Sequence, residues 1–220
     1  MWSSIKSKLA NRKAVSGFRK LTFQYAEAPV GSTMDVGVLW YRLDPVNSDE
    51  TDLQAKYIVA AAETAVRFNP KAAVVQIGRE NLKSSLMLAG LLKDVSGNTL
   101  QCIDPDGEHP EFNSLPEEVV EPEIRKHISY SSQTAAAFIN ETSPAISFAL
   151  INAQPDYHEA VQQYEICAAQ TDSGSLIAAF DIDNEAFAGS LKAFRDVLLD
   201  QPQWTLWAHC KNLAIVRREF

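Results

Sequence analysis

With 220 residues, 46% of them hydrophobic and 22% charged, the chain has apolar material for a sizeable core and no signature of disorder. Its formal net charge of -8 argues against a broad nucleic-acid or anionic-membrane surface, because those partners need clustered cations. No apolar run approaches the ~20 residues of a membrane-spanning helix. The basic stretch 1–20 lacks the apolar core of a secretory signal and reads as a surface helix, with a mitochondrial presequence as the alternative.

Residues 1–48 read as an N-terminal extension facing substrate or a partner. Ile5, Leu9 and Val15 hint at an amphipathic helix, and the aromatic stretch around Trp40 and Tyr41 can cover a partner, a second copy of the chain included. The domain proper is expected over 49–220. Ser48, followed by Asp49, Glu50 and Asp52, predicts a helix start, because a hydroxyl can cap orphan amides and acids face the positive end of the dipole. Leu53, Tyr57, Ile58, Ala61 and Val66 then recur at helical spacing until Asn69-Pro70. The apolar run 72–77, bounded by Pro70 and Gly78, predicts a strand covered on both faces. A helix over 81–95 follows, with Leu82, Leu86 and Leu92 near one stripe. Next come a strand over 99–104, a polar proline-bearing stretch, a short helix over 121–127, a strand at 128–130 and a helix over 132–141. The strand 145–152, the helix 155–170, a turn at Gly174 and the strand 175–181 continue the alternation. A last helix spans 184–200, with Phe187, Leu191, Phe194 and Leu198 at spacings of three and four. The segments 204–209 and 213–218 flank a turn at Lys211-Asn212.

Alternation of apolar strands with helices means a parallel, doubly wound α/β sheet with helices on both faces. The last two strands lie so close in sequence that they form an antiparallel hairpin, with Trp204 and Trp207 in its core. Seven strands result, and ligands of such sheets bind beyond the carboxyl ends of the strands. The cysteines Cys102, Cys167 and Cys210 form no CxxC pair, and four histidines show no metal spacing. Cys102 and Cys167 read as small core residues, and a reduced cytoplasmic protein is the expectation.

Motif positions sharpen this picture. The first strand ends in Gln76-Ile77-Gly78 and leads to Ser84. The second ends in Ile103-Asp104-Pro105-Asp106, and the fourth in Leu150-Ile151-Asn152-Ala153 before Pro155-Asp156-Tyr157-His158. The fifth follows Ser173-Gly174-Ser175 and ends in Phe180-Asp181. In order and spacing, 49–220 resembles the class I S-adenosylmethionine-dependent methyltransferases, in their small-molecule O-methyltransferase-like branch. The resemblance implies a Rossmann-like sheet with a terminal hairpin, S-adenosylmethionine as cofactor and a small-molecule acceptor. It places Gln76, Gly78, Ser84, Asp104 and Asn152 around the cofactor, with Asp104 on the ribose hydroxyls and Ser84 beside the methionine carboxylate at a helix N-terminus. His158 as general base, Asp156 as its partner and Asp181 form the expected catalytic set.

Each residue also has a plainer reading. Gly78 and Asp104 serve as turn formers, Ser84 faces solvent, Asp181 caps the helix after it, and Asp156 and His158 are solvated first-turn residues. Four positions depart from the family pattern: Gln76 replaces an acid, Leu82 a glycine, Asn152 an aspartate and Phe180 a histidine. Leu82 would narrow the cofactor loop. With Asn152 and Phe180 in place, only Asp181 and Asp183 offer carboxylates at the strand ends, so no metal site is expected. The competing function is a degenerate methyltransferase-fold protein acting as a binding or scaffold subunit. A dinucleotide-dependent oxidoreductase is disfavoured, because no GxGxxG follows the first strand.

Overall fold

The computed structural model describes Leu43 and residues 51–78, 82–109, 111–152, 156–182, 184, 186 and 188–220. Helix α1 (Asp52–Phe68) starts later than the acidic cluster predicts. Its N-cap is Thr51, in a reciprocal capping box: the Gln54 amide donates to Thr51 Oγ1 (3.4 Å) and the Thr51 amide to Gln54 Oε1 (2.9 Å). Ser48 lies outside the described residues. Leu53, expected on the buried stripe, is 47% exposed, whereas Ile58, Ala61 and Val66 are buried as their spacing requires.

Then follow β1 (Ala73–Ile77), α2 (Leu82–Val95), β2 (Leu100–Ile103), the short α3 (Pro122–Arg125), β3 (Ile128–Ser131), α4 (Ala135–Thr142), β4 (Ile146–Ile151), α5 (Tyr157–Ala169) and β5 (Thr171–Ala179). Helix α6 (Ala188–Phe194) widens into a π-turn segment over Arg195–Leu199, and β6 (Trp204–Cys210) and β7 (Leu213–Arg218) complete the chain. The seven strands run in the order β3-β2-β1-β4-β5-β7-β6, all pairs parallel except β5 with β7 and β7 with β6. The terminal hairpin is therefore as its sequence predicts. Lys211, at its turn, has φ 54°.

Alternation along the strands divides the core in two. Val74, Phe148, Leu150 and Leu176 face α1 and α2, while Val75, Ile77, Ala149 and Ile177 face α4, α5 and α6. Val74, Val75, Phe148, Leu150 and Ile177 are at most 1% exposed. Each such side chain contributes roughly 1.5–3 kcal/mol. Trp204 is buried, and Trp207 packs partly buried against the α1–α2 side. All three cysteines are buried free thiols. Among the described residues no helix is long and apolar enough to cross a membrane.

One expected boundary is overturned. Gly174 is not the turn before β5 but lies inside it, at φ +84°. The partners Ile146–Thr171 and Phe148–Leu176 are two residues apart on β4 and five on β5, so three extra residues bulge out of β5. Ser175 Oγ closes the bulge, accepting from the Asp172 amide (3.2 Å) and donating to the Ile146 carbonyl (2.8 Å). The ring of Phe68 occupies the space a Cβ at position 174 would need, at 2.5 Å. A side chain there would have to displace the Phe68 ring and hold a left-handed backbone that favours glycine.

Candidate ligand site at the switch point of the sheet

Strand order reverses between β1 and β4, and a cavity of about 410 Å³ opens beside that point. Its apolar floor comes from Ile77, Ile103 and Ile166, and Gly78, Asp104 and Pro105 form the rim at the ends of β1 and β2. Thr134, Ala135 and Ala136 at the start of α4 make one wall. Glu159, Gln162 and Gln163 of α5 make another. The volume lies within the ~300–1,000 Å³ typical of small-molecule sites.

Of the sequence-predicted residues, Gly78 and Asp104 line this cavity, whereas Gln76, Ser84, Asn152, Asp156, His158 and Asp181 do not. Gly78 has φ +86°, and a Cβ there would stand 2.8 Å from Asn152 Cβ, so packing against β4 already demands glycine. Its amide donates to the Ile103 carbonyl (3.0 Å), and the Asn152 amide donates to the Ile77 carbonyl (2.9 Å), tying the ends of β1, β2 and β4 together. Asp104 is half-buried. Its Oδ1 accepts from the Asp106 amide (2.8 Å), so the turn role and a place on the cavity rim coexist in one residue.

Gln76 and Ser84 lie elsewhere. Gln76 is buried on the α2 side of β1, where Nε2 donates to the Gly78 carbonyl (3.1 Å) and Oε1 accepts from Ser85 Oγ (2.8 Å). A carboxylate has no proton for the first of these bonds, so a neutral amide suits this position better than an acid. Ser84 is buried in the first turn of α2 rather than facing solvent, and is not a lining residue of the cavity.

On α5, Asp156 is the N-cap: Oδ1 accepts from the amides of His158 (2.8 Å) and Glu159 (3.2 Å). His158 is exposed, its ring 5.3 Å edge-on from that of Tyr157. Asp181 has φ 57°, and its Oδ1 accepts from Asn212 Nδ2 in the hairpin turn (2.8 Å). Asn212 Oδ1 in turn accepts from Gln54 Nε2 (2.5 Å), so the end of β5, the hairpin and the start of α1 form one chain of bonds. Burial pushes the thiols of Cys102 and Cys167 up to about 12, so neither supplies a thiolate near neutral pH. Among the described residues no group of three His, Cys, Asp or Glu side chains is placed to hold a metal ion.

No protein-family model and no curated sequence matches the chain. Solved structures do. The TDP-rhamnose 3′-O-methyltransferase of calicheamicin biosynthesis superposes with a TM-score of 0.61 at 15% identity, over 93% of this chain and 93% of the other. The O-methyltransferase NovP gives 0.58 at 13%, over 99% and 100%. An O-methyltransferase from Bacillus cereus, in complex with SAH, gives 0.55 at 13%, over 83% and 90%. This is the class I S-adenosylmethionine-dependent methyltransferase fold.

Against the methyltransferase pattern, the departures acquire physical explanations. Leu82 does not stand in the cavity: it is the first residue of α2 and is fully buried among the side chains on the α1–α2 side of the sheet. Phe180 is core on that same side. The sequence reading missed the wall formed by α5. Its signal was present, because Glu159, Gln162, Gln163 and Ile166 recur at helical spacing one residue before the buried stripe Ala160, Tyr164 and Cys167.

Proposed function

We propose that the protein binds S-adenosylmethionine in the cavity beside β1 and β2 and transfers its methyl group to a hydroxyl of a small-molecule acceptor. The cavity carries this reading, because it sits where a doubly wound sheet binds ligands and has Gly78 and Asp104 on its rim. Bound S-adenosylmethionine supplies a methyl group already activated on a sulfonium sulfur, which leaves the protein to orient and desolvate. Asp104 accepts hydrogen bonds from the ribose hydroxyls, and Gly78 lets the backbone come close. Ile77, Ile103 and Ile166 exclude water from the floor. His158, exposed at the start of α5, takes the proton that leaves the acceptor hydroxyl as its oxygen gains the methyl group. Asp156 holds that turn of helix in place. Asp181, bonded to Asn212, fixes the end of β5 on the opposite side. Leu82 lies in the core rather than at the cavity, which favours cofactor binding over the scaffold reading.

Thermal denaturation with S-adenosylmethionine or S-adenosylhomocysteine tests this directly. At 100 times its dissociation constant a ligand adds about 2.7 kcal/mol, or roughly 5–10 °C for a domain of this size. No shift with either compound at millimolar concentration would sink the proposal and favour the scaffold reading.

A further inference from the structure

A second cavity of about 410 Å³ lies at the opposite end of the sheet from Gly78, where β5 begins and β7 ends. The carboxyl end of α5, the π-turn segment and the start of β6 enclose it. Helical widening of that kind occurs frequently at functional sites. Apolar surface comes from Ala168, Ala169, Val197 and the buried Trp204, and charge from Glu165, Asp196 and Arg218.

The three charges differ in what already compensates them. Asp196 accepts from Lys192 Nζ and from the Tyr157 hydroxyl (2.8 Å), so it is neutralised within the chain. Glu165 is exposed and has no ion-pair partner among the described residues. Arg218 is held rigidly, its Nη1 donating to the Ala168 carbonyl (2.9 Å), the Thr171 carbonyl (2.6 Å) and Thr171 Oγ1 (3.0 Å). Its guanidinium stands 6.0 Å from the centroid of the Trp204 ring. The Phe220 oxygen accepts from Nε in a long, exposed contact (3.4 Å). Among the described residues no side-chain carboxylate pairs with Arg218, and its Nη2 makes no hydrogen bond. One cation and one anion are therefore left over, and Glu165 stands one helical turn, about 5–6 Å, from the residues that anchor Arg218.

We propose that this cavity binds a free apolar α-amino acid, with its carboxylate on Arg218, its ammonium on Glu165 and its side chain against Trp204 and Val197. A simple carboxylate would meet two acids here, and a simple amine would meet Arg218, so only a zwitterion matches both. Arginine pre-set in this way loses little freedom on taking up a carboxylate.

NMR titration of the full chain with L-leucine, following the Trp204 indole signal assigned through Trp204→Phe, tests the proposal. Because Arg218 also caps α5, its role is tested by altering the ligand rather than the protein. Isopentylamine, which is leucine without its carboxylate, should bind at least about tenfold more weakly than leucine. Isocaproate, leucine without its amine, should bind about threefold more weakly. Glu165→Gln, a surface change, should weaken leucine by about threefold and leave isocaproate no weaker than before. An unmoved Trp204 signal at millimolar leucine, or isopentylamine binding as tightly as leucine, would overturn the proposal. So would a Glu165→Gln protein that binds leucine with wild-type affinity.

Discussion

Replacing Gly78 with alanine would impose two separate burdens on the carboxyl end of β1. The first is conformational: at φ +86° a side chain costs about 1–2 kcal/mol. The second is steric, because the new Cβ would lie 2.8 Å from Asn152 Cβ, inside van der Waals contact on a strand that is hydrogen-bonded in place. Overpacking of this kind costs about 1–3 kcal/mol. Together they give about 2–5 kcal/mol, which at a urea slope of ~2 kcal/mol per molar lowers the unfolding midpoint by about 1–2.5 M. The two parts separate in a double-mutant cycle. In an Asn152→Gly background the collision is gone, so Gly78→Ala should cost only the conformational ~1–2 kcal/mol. Equilibrium urea unfolding of the four proteins, followed by tryptophan fluorescence, gives all the values. A cost below about 0.5 kcal/mol in wild type, or an equal cost in both backgrounds, would refute the packing explanation of this glycine.

Asp104→Ala should weaken S-adenosylmethionine binding by about 1.5–3 kcal/mol, the range for hydrogen bonds to a charged group; unchanged calorimetric affinity in a folded mutant would leave Asp104 a turn residue only. Leu82→Ala should cost about 2–5 kcal/mol of stability, because the side chain is fully buried, and should not tighten cofactor binding; tighter binding would restore the blocked-loop reading. Gln76→Glu should destabilise by about 1–3 kcal/mol above pH 6, as a buried donor to the Gly78 carbonyl is lost, and circular-dichroism melting should show it. Hydrogen bonds from Lys192 and from the Tyr157 hydroxyl hold the Asp196 carboxyl below its ordinary range. Its contribution to stability is therefore present above the ordinary aspartate range and lost as pH falls through the lowered value. Carbon-detected NMR titration should show Lys192→Met moving Asp196 upward, and an unmoved midpoint would contradict the pairing.

The sheet was legible because its strands are apolar on both faces. The run 72–77 and the strand of Phe148 and Leu150 can be little else, and the short Lys211-Asn212 connection permits only antiparallel pairing. Helix starts were less legible. Ser48 with its following acids and Thr51 with Gln54 both satisfy capping rules, and only the reciprocal bonds of the second pair decide between them. Gly174 looked like punctuation because glycine marks turns as readily as bulges, and the Phe68 ring that selects the bulge lies more than a hundred residues away in sequence. Leu82 carried two readings at once, a place on the apolar stripe of the helix with Leu86 and Leu92 and a glycine position that would narrow the cofactor loop; the structure follows the stripe and puts it in the core. The α5 wall escaped notice because a polar stripe on a helix ordinarily faces water. That it faces a cavity is decided by α4 across from it.

The three-residue bulge in β5 separates the two ends of the sheet mechanically. Below it the pairing is offset, but from Phe148–Leu176 to Ile151–Ala179 the register with β4 runs without interruption to the rim. The offset is therefore confined to the segment between Thr171 and Leu176, held by the Ser175 clamp, and does not reach the residues at the cavity. This end of the molecule is thus a natural place to graft a tag or a surface-immobilisation handle, with the ligand site left in register at the far edge.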